Sequence, residues 1–222
     1  MKKALLFDMD GTLVDNTEAH MRAFGIFCGR YGVEGWRERL KQGIGMGNDD
    51  IMRLVMPEEV IRERGFAALA DEKEAIYREI YAPEIRPVEG LRELLEQLRA
   101  AGVRCAVGSS GCKANVDFVL DGCGIREYFD ARISGDMVSR CKPDPEIYLK
   151  AAAALGCEPA ECVVVEDAKD GIESARRAGA GRVVALTTTL PREELARETS
   201  ADMIVDTFAD FADPKRFAEL LA

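Results

Sequence analysis

Short apolar runs that give way to small or acidic residues recur along this chain and limit what it can become. They are "KALLF" at 3–7, "VRCAV" at 103–107, "CVVV" at 162–165, "VVAL" at 183–186 and "MIV" at 203–205. Runs this short, apolar at nearly every position, suit strands buried on both faces of a parallel sheet. Helical patterns lie between them. "VEGLRELLEQLRAAG" sets Leu91, Leu94, Leu95 and Leu98 on one face and stops at Gly102. "PDPEIYLKAAAALG" offers Asp144 as N-cap, Pro145 as first helical residue and Gly156 as the stop. A shorter helix, "GIESARRAGAG", ends in glycines.

Strands alternating with helices from about residue 85 onward predict an α/β, doubly wound, Rossmann-like parallel sheet. Residues 16–84 have a different character. They show polar helical stretches at roughly 17–31, 49–55 and 58–80, broken by "GVEGW", "GIGMG" and Pro57, and no strand pattern. The expectation is two units: a core of residues 1–15 and 85–222, and an inserted α-helical domain of 16–84. Pro83 and Pro87 mark the return.

Charge and composition narrow the function. A net charge of −10 argues against nucleic-acid or anionic-membrane partners, which need a basic surface. No run of about 18 apolar residues could span a bilayer. The four apolar residues before Asp8 are too few for a signal-peptide core. Seven cysteines, without a CxxC pair, read as reduced small hydrophobes in a cytoplasmic protein. A monomer is the default expectation.

In an open parallel sheet, ligands bind beyond the carboxyl ends of the strands. Asp8 and Asp10 follow the first run, Ser109 the second, and Glu166 and Asp167 the third, with Lys142 nearby in "CKPDP". Singly, each reads as a turn or capping residue. Several carboxylates at one sheet edge, however, repel one another unless a cation sits among them. Oxygen-only ligands suit Mg2+. On an extended segment Asp8 and Asp10, two residues apart, face the same way.

These residues resemble a family pattern. "DMDGTLVD" at 8–15 is similar to the first motif of the haloacid dehalogenase superfamily in its phosphatase form. Ser109 resembles the second motif, Lys142 in "KPDPEIY" the third, and "VVVEDAKDGI" at 163–172 the fourth, in that order. The helical insert matches the subgroup with a small helical cap, and "TEAHMRAF" resembles β-phosphoglucomutase relatives. The resemblance implies Asp8 as nucleophile and Asp10 as general acid and base. It implies Ser109 and Lys142 as phosphate-binding residues. Mg2+ would lie on Asp8, Asp167 and the Asp10 carbonyl, with Glu166 behind the metal. The implied reaction is Mg2+-dependent hydrolysis of a small phosphorylated metabolite, a sugar phosphate, through an aspartyl-phosphate. A phosphohexomutase of β-phosphoglucomutase type is the alternative, with pyrophosphate hydrolysis a third. Asn48 stands where those mutases carry a phosphate-binding Arg, which favours the phosphatase. The second acid and the Glu166–Asp167 pair argue against dehalogenation. In the insert, His20, Asn48 and Arg78 are the substrate candidates. The loop "GIGMGNDD" at 43–50 is the candidate specificity loop, and Trp36 and the tyrosines show no stacking pattern.

Overall fold

The computed structural model describes residues 2–40 and 48–222, with the backbone alone at 48–50. Two compact units divide the chain: Met1–Asp15 with Ile85–Ala222, and Asn16–Glu84.

The first unit is built on a parallel sheet. Strand β1 (Ala4–Phe7) is buried at all four residues. It pairs with β2 (Arg104–Gly108) on one side and β4 (Cys162–Glu166) on the other. Next come β3 (Ala131–Ile133), which pairs with β2, and β5 (Arg182–Leu186) and β6 (Met203–Val205), which extend the far side. Among the described residues the order is β3-β2-β1-β4-β5-β6. The chain winds outward from β1 in one direction and then crosses to β4 on β1's other side. The crevice between the carboxyl ends of β1 and β4 is therefore the topological switch point.

Side-chain alternation sends the two halves of each strand to two cores. Ala4, Leu6, Val164 and Val183 meet Ile147, Tyr148, Ala151, Ile172 and Ala175 from the helices called α8 (Glu146–Ala154) and α9 (Lys169–Arg177) below. On the opposite face Phe7 meets Phe129 and Phe208 edge-on, at 5.9 and 6.0 Å between ring centroids. Helix α6 (Leu91–Ala100) buries the four leucines read from the sequence, and Gly102 leaves it at φ +70°. Helices α7 (Lys113–Gly122), α10 (Arg192–Glu198) and α11 (Pro214–Leu220) complete this unit.

The second unit holds α1 (Thr17–Arg30), α2 (Trp36–Leu40), α3 (Asn48–Val55), α4 (Glu58–Arg64) and α5 (Phe66–Tyr81). Helices α1 and α5 pack together and bury Ala23, Phe24 and Phe27 with Leu69, Ile76 and Tyr77. No described helix is long and apolar enough to cross a membrane. All seven cysteines are free.

The structure corrects several local expectations. Strand β3, "ARI", has no counterpart in the sequence reading, because three residues centred on exposed Arg132 carry no apolar run. Helix α8 starts one residue later than expected: Pro145 occupies the cap, and Asp144 Oδ1 instead accepts from Glu146 N at 3.0 Å. The stretch at 58–80 is two helices, split at Gly65 with φ +78°. Trp36 opens α2 rather than ending a break, and its ring stacks on Phe24. Most of the loop at 43–50 lies outside the described residues.

Candidate active site

The chain after β1 does not continue as a strand. Asp8 N still donates to Val165 O at 2.9 Å, adding one rung to the ladder with β4. The amides of Thr12, Leu13 and Val14 then converge on the Met9 carbonyl, and Gly11 turns the chain at φ +80°. A Cβ on Gly11 would fall 2.1 Å from Asp167 Oδ2, so no other residue fits there. The expectation that Asp8 and Asp10 share an extended segment is thus replaced by a tight turn. Asp8 ends the ladder and Asp10 lies inside the turn, half-buried.

The turn divides the surroundings of the two acids. Asp8 Oδ1 accepts from Lys142 Nζ at 2.5 Å, and the same ammonium reaches Glu166 Oε1 at 2.6 Å. Asp10 lies toward the β2 end. A Cβ on Gly111 would come within 3.4 Å of Asp10 Oδ2 and 3.1 Å of Ser109 Oγ. Ser109, fully buried, accepts from Gly111 N at 3.0 Å through its hydroxyl oxygen, which leaves its own O–H to donate elsewhere.

Asp167 follows β4, and its Oδ1 accepts from Thr12 Oγ1 at 3.3 Å. Carboxylate oxygens of Asp8, Glu166 and Asp167 all lie within 4.8 Å of one another, and all three residues are buried. At that separation each like-charged pair repels by roughly 3–4 kcal/mol at an effective dielectric near 20. Burial, with Glu166, Asp167 and Asp10 close by, pushes Asp8 well above the usual carboxylate range against the pull of Lys142. Burial and Glu166 push Asp167 up to about 7, against Thr189, Lys142 and Thr12. Burial works against the charge on Lys142, but Asp8 and Glu166 hold it well above the usual lysine range. Ionised together, three buried carboxylates around one ammonium would leave an excess of negative charge, which a cation would offset, and the donors are all oxygen. That set fits Mg2+.

Several residues of this site escape sequence reading. The Tyr148 hydroxyl donates to Glu166 Oε1, and its ring centroid lies 4.9 Å from Lys142 Nζ. Asp167 N donates to Glu166 Oε2 at 3.2 Å, so both oxygens of Glu166 are engaged. Gly171 makes room for that carboxylate, since a Cβ there would sit 1.9 Å from Glu166 Oε1. Tyr148 belongs to the quoted "KPDPEIY", but nothing in its spacing signals a partner 18 residues on.

The insert candidates form a separate arrangement within the helical unit. His20 stacks on Tyr77 at 3.9 Å, with the rings 7° from parallel. Buried Lys73 lies with Nζ 2.8 Å from His20 Nδ1 and donates to Glu74 Oε1 at 2.9 Å. Asn16 Nδ2 donates to Tyr77 OH at 2.6 Å. The tyrosines do therefore stack: Tyr77 also lies 5.5 Å from Tyr81. A charged residue at 73 that is only 4% exposed was invisible as a single Lys in a polar helix. Arg78 is half-buried on α5. Asn48 begins α3, and its side chain is outside the described residues.

Known proteins carry the same architecture. The family model described as haloacid dehalogenase-like hydrolase matches residues 5–185. Validoxylamine A 7′-phosphate phosphatase of Streptomyces hygroscopicus subsp. limoneus is 34% identical over 230 residues, covering 96% of this chain and 98% of that protein. A mutant CbbY from Rhodobacter sphaeroides, solved with xylulose-(1,5)bisphosphate, is 29% identical with a TM-score of 0.80 over 95% of this chain and 96% of that one. β-Phosphoglucomutase from Clostridium difficile shares the fold at a TM-score of 0.81 and 22% identity, over 99% of this chain and 97% of that one. The chain belongs to the haloacid dehalogenase-like hydrolase family, as a phosphatase with the fold of β-phosphoglucomutase.

Proposed function

We propose that this phosphatase hydrolyses a sugar phosphate through an aspartyl-phosphate on Asp8, with Mg2+ as its cofactor and the helical insert as its cap. One observation carries the reading: the Lys142 ammonium bridges Asp8 and Glu166 while Asp167 closes the carboxylate cluster. The relative named for a 7′-phosphate and the neighbour holding xylulose-(1,5)bisphosphate support the substrate class.

Asp8, Asp167 and the Asp10 backbone carbonyl would hold the metal. When bound, it neutralises carboxylate and phosphate charge, which otherwise repel. Glu166 would lie behind the metal, where its Oε1 holds Lys142 and Tyr148 and its Oε2 accepts from Asp167 N. Lys142 draws the dianionic phosphoryl group toward Asp8, and the Ser109 hydroxyl donates to one of its oxygens. An Asp8 oxygen bonds to phosphorus as the ester P–O bond breaks. Asp10 gives its proton to the departing alkoxide. It then takes a proton from the water that attacks phosphorus, which releases inorganic phosphate and restores Asp8.

Phosphate release from a panel of sugar phosphates, with Mg2+ and with EDTA, tests this. Release that depends on Mg2+ is expected. Full activity in EDTA, or no release from any sugar phosphate, overturns the reading. Conversion of β-glucose 1-phosphate to glucose 6-phosphate, given a trace of the bisphosphate, would make the enzyme a mutase instead.

A further inference from the structure

The loop after β5 carries none of the four motifs, yet it touches the turn that bears Asp10. The Thr188 hydroxyl donates to the Gly11 carbonyl. A Cβ on Gly11 would lie 2.8 Å from Thr189 Oγ1, and Thr189 also hydrogen-bonds the Asp167 carboxylate. Gly11 N donates to Val14 O at 2.8 Å. Both peptide groups of Gly11 are therefore fixed, and its Cα is walled in. The Asp10–Gly11 peptide belongs to that fixed set, so the position of Asp10 follows from it. Strand β5 is not β1's neighbour in the sheet, since β4 lies between them. The contact thus ties a fourth strand end to the site, after those of β1, β2 and β4.

We propose that Thr188 is a positioning residue for Asp10: its hydroxyl holds the 9–14 turn in the form that keeps Asp10 beside Ser109. This rests on the reaction proposed above, in which Asp10 protonates the leaving alkoxide. General-acid help matters in proportion to the basicity of the leaving oxygen. A sugar alkoxide needs the proton, whereas p-nitrophenolate departs without it. A misplaced Asp10 should therefore harm the two substrates unequally. A merely structural threonine, once removed, would harm both alike or lower only the melting temperature.

The experiment compares Thr188→Val, Thr188→Ala and Thr188→Ser in the full chain with Mg2+. It measures kcat/KM, which reports steps through formation of the phosphoenzyme. The substrates are p-nitrophenyl phosphate and whichever sugar phosphate of the panel the wild type cleaves best. We expect Val and Ala to lose at least about tenfold more on the sugar phosphate than on the aryl phosphate, part of the ~10²–10⁴ a general acid supplies. Ser, which keeps the hydroxyl, should return to within about threefold of wild type on that same scale. Equal losses on both substrates, no loss on either, or a Ser variant as impaired as Val would overturn the proposal. A wild type that cleaves neither phosphate would overturn the reaction itself, and that result appears before any variant is made.

Discussion

Lys142, itself only 9% exposed, keeps its charge because two carboxylates face it, at 2.5 and 2.6 Å. Asp10, by contrast, sits outside that cluster, and its metal contact would run through the backbone. Asp10→Asn should therefore cost about 10²–10⁴ in turnover while Mg2+ still raises the melting temperature as it does for wild type. Near-wild-type turnover would remove Asp10 from the mechanism. Asp167 makes the site pH-sensitive. Its carboxyl titrates at about 7 in the folded metal-free protein, against ~3.9 in an unfolded chain. The folded state therefore holds a proton that the unfolded chain gives up, and metal-free stability falls as pH rises from about 4 to about 7. On the proposed metal site Mg2+ would have to displace that proton, so its affinity should rise with pH through the same window. Calorimetry at about pH 6 and about pH 8 should find tighter binding at the higher pH, with proton release at the lower. Equal affinity at both would contradict it.

Strand ends deliver the acids, and helix packing aims them. Glu166 points at Lys142 because α9 brings Gly171, not a larger residue, against its carboxylate. Gly171→Ala should force Glu166 off Lys142. The expected cost is about 1–3 kcal/mol of stability with a fall in kcat, read by thermal melting and steady-state kinetics. A variant as stable and active as wild type would refute that packing. The elements legible in the sequence were those with a period or a stop: the leucines of α6, and the runs that became β1, β2, β4, β5 and β6. Asp8 and Asp167 were legible for the same reason, since each follows a buried run. Strand β3 was not, because Arg132 interrupts it and its place in the sheet comes from β2. Tyr148, Thr188 and Lys73 were not, because each acts on a residue far along the chain, 177 positions away for Thr188 and Gly11. Local pattern carries no such information.

Among the described residues the chain forms one six-stranded sheet, and the helical segment follows its first strand. Val88 N donates to Leu13 O at 2.9 Å, so the segments that lead out of the core and back into it are hydrogen-bonded neighbours. The core should therefore close without the insert. Replacing residues 17–83 by a short Gly-Ser linker should leave a folded core that still cleaves p-nitrophenyl phosphate. It should lose most of the preference among sugar phosphates that the full chain shows. A core that cannot fold, or one that keeps the preference, would show that the insert is not a separate specificity unit. Covalent chemistry at Asp8 is the step on which the proposed reaction depends. Rapid quenching of the enzyme during turnover of a 32P-labelled sugar phosphate, followed by peptide mapping, tests this most directly. The prediction is label on the peptide containing Asp8, absent from Asp8→Asn. Turnover with no labelled protein, or label on any other residue, would contradict it.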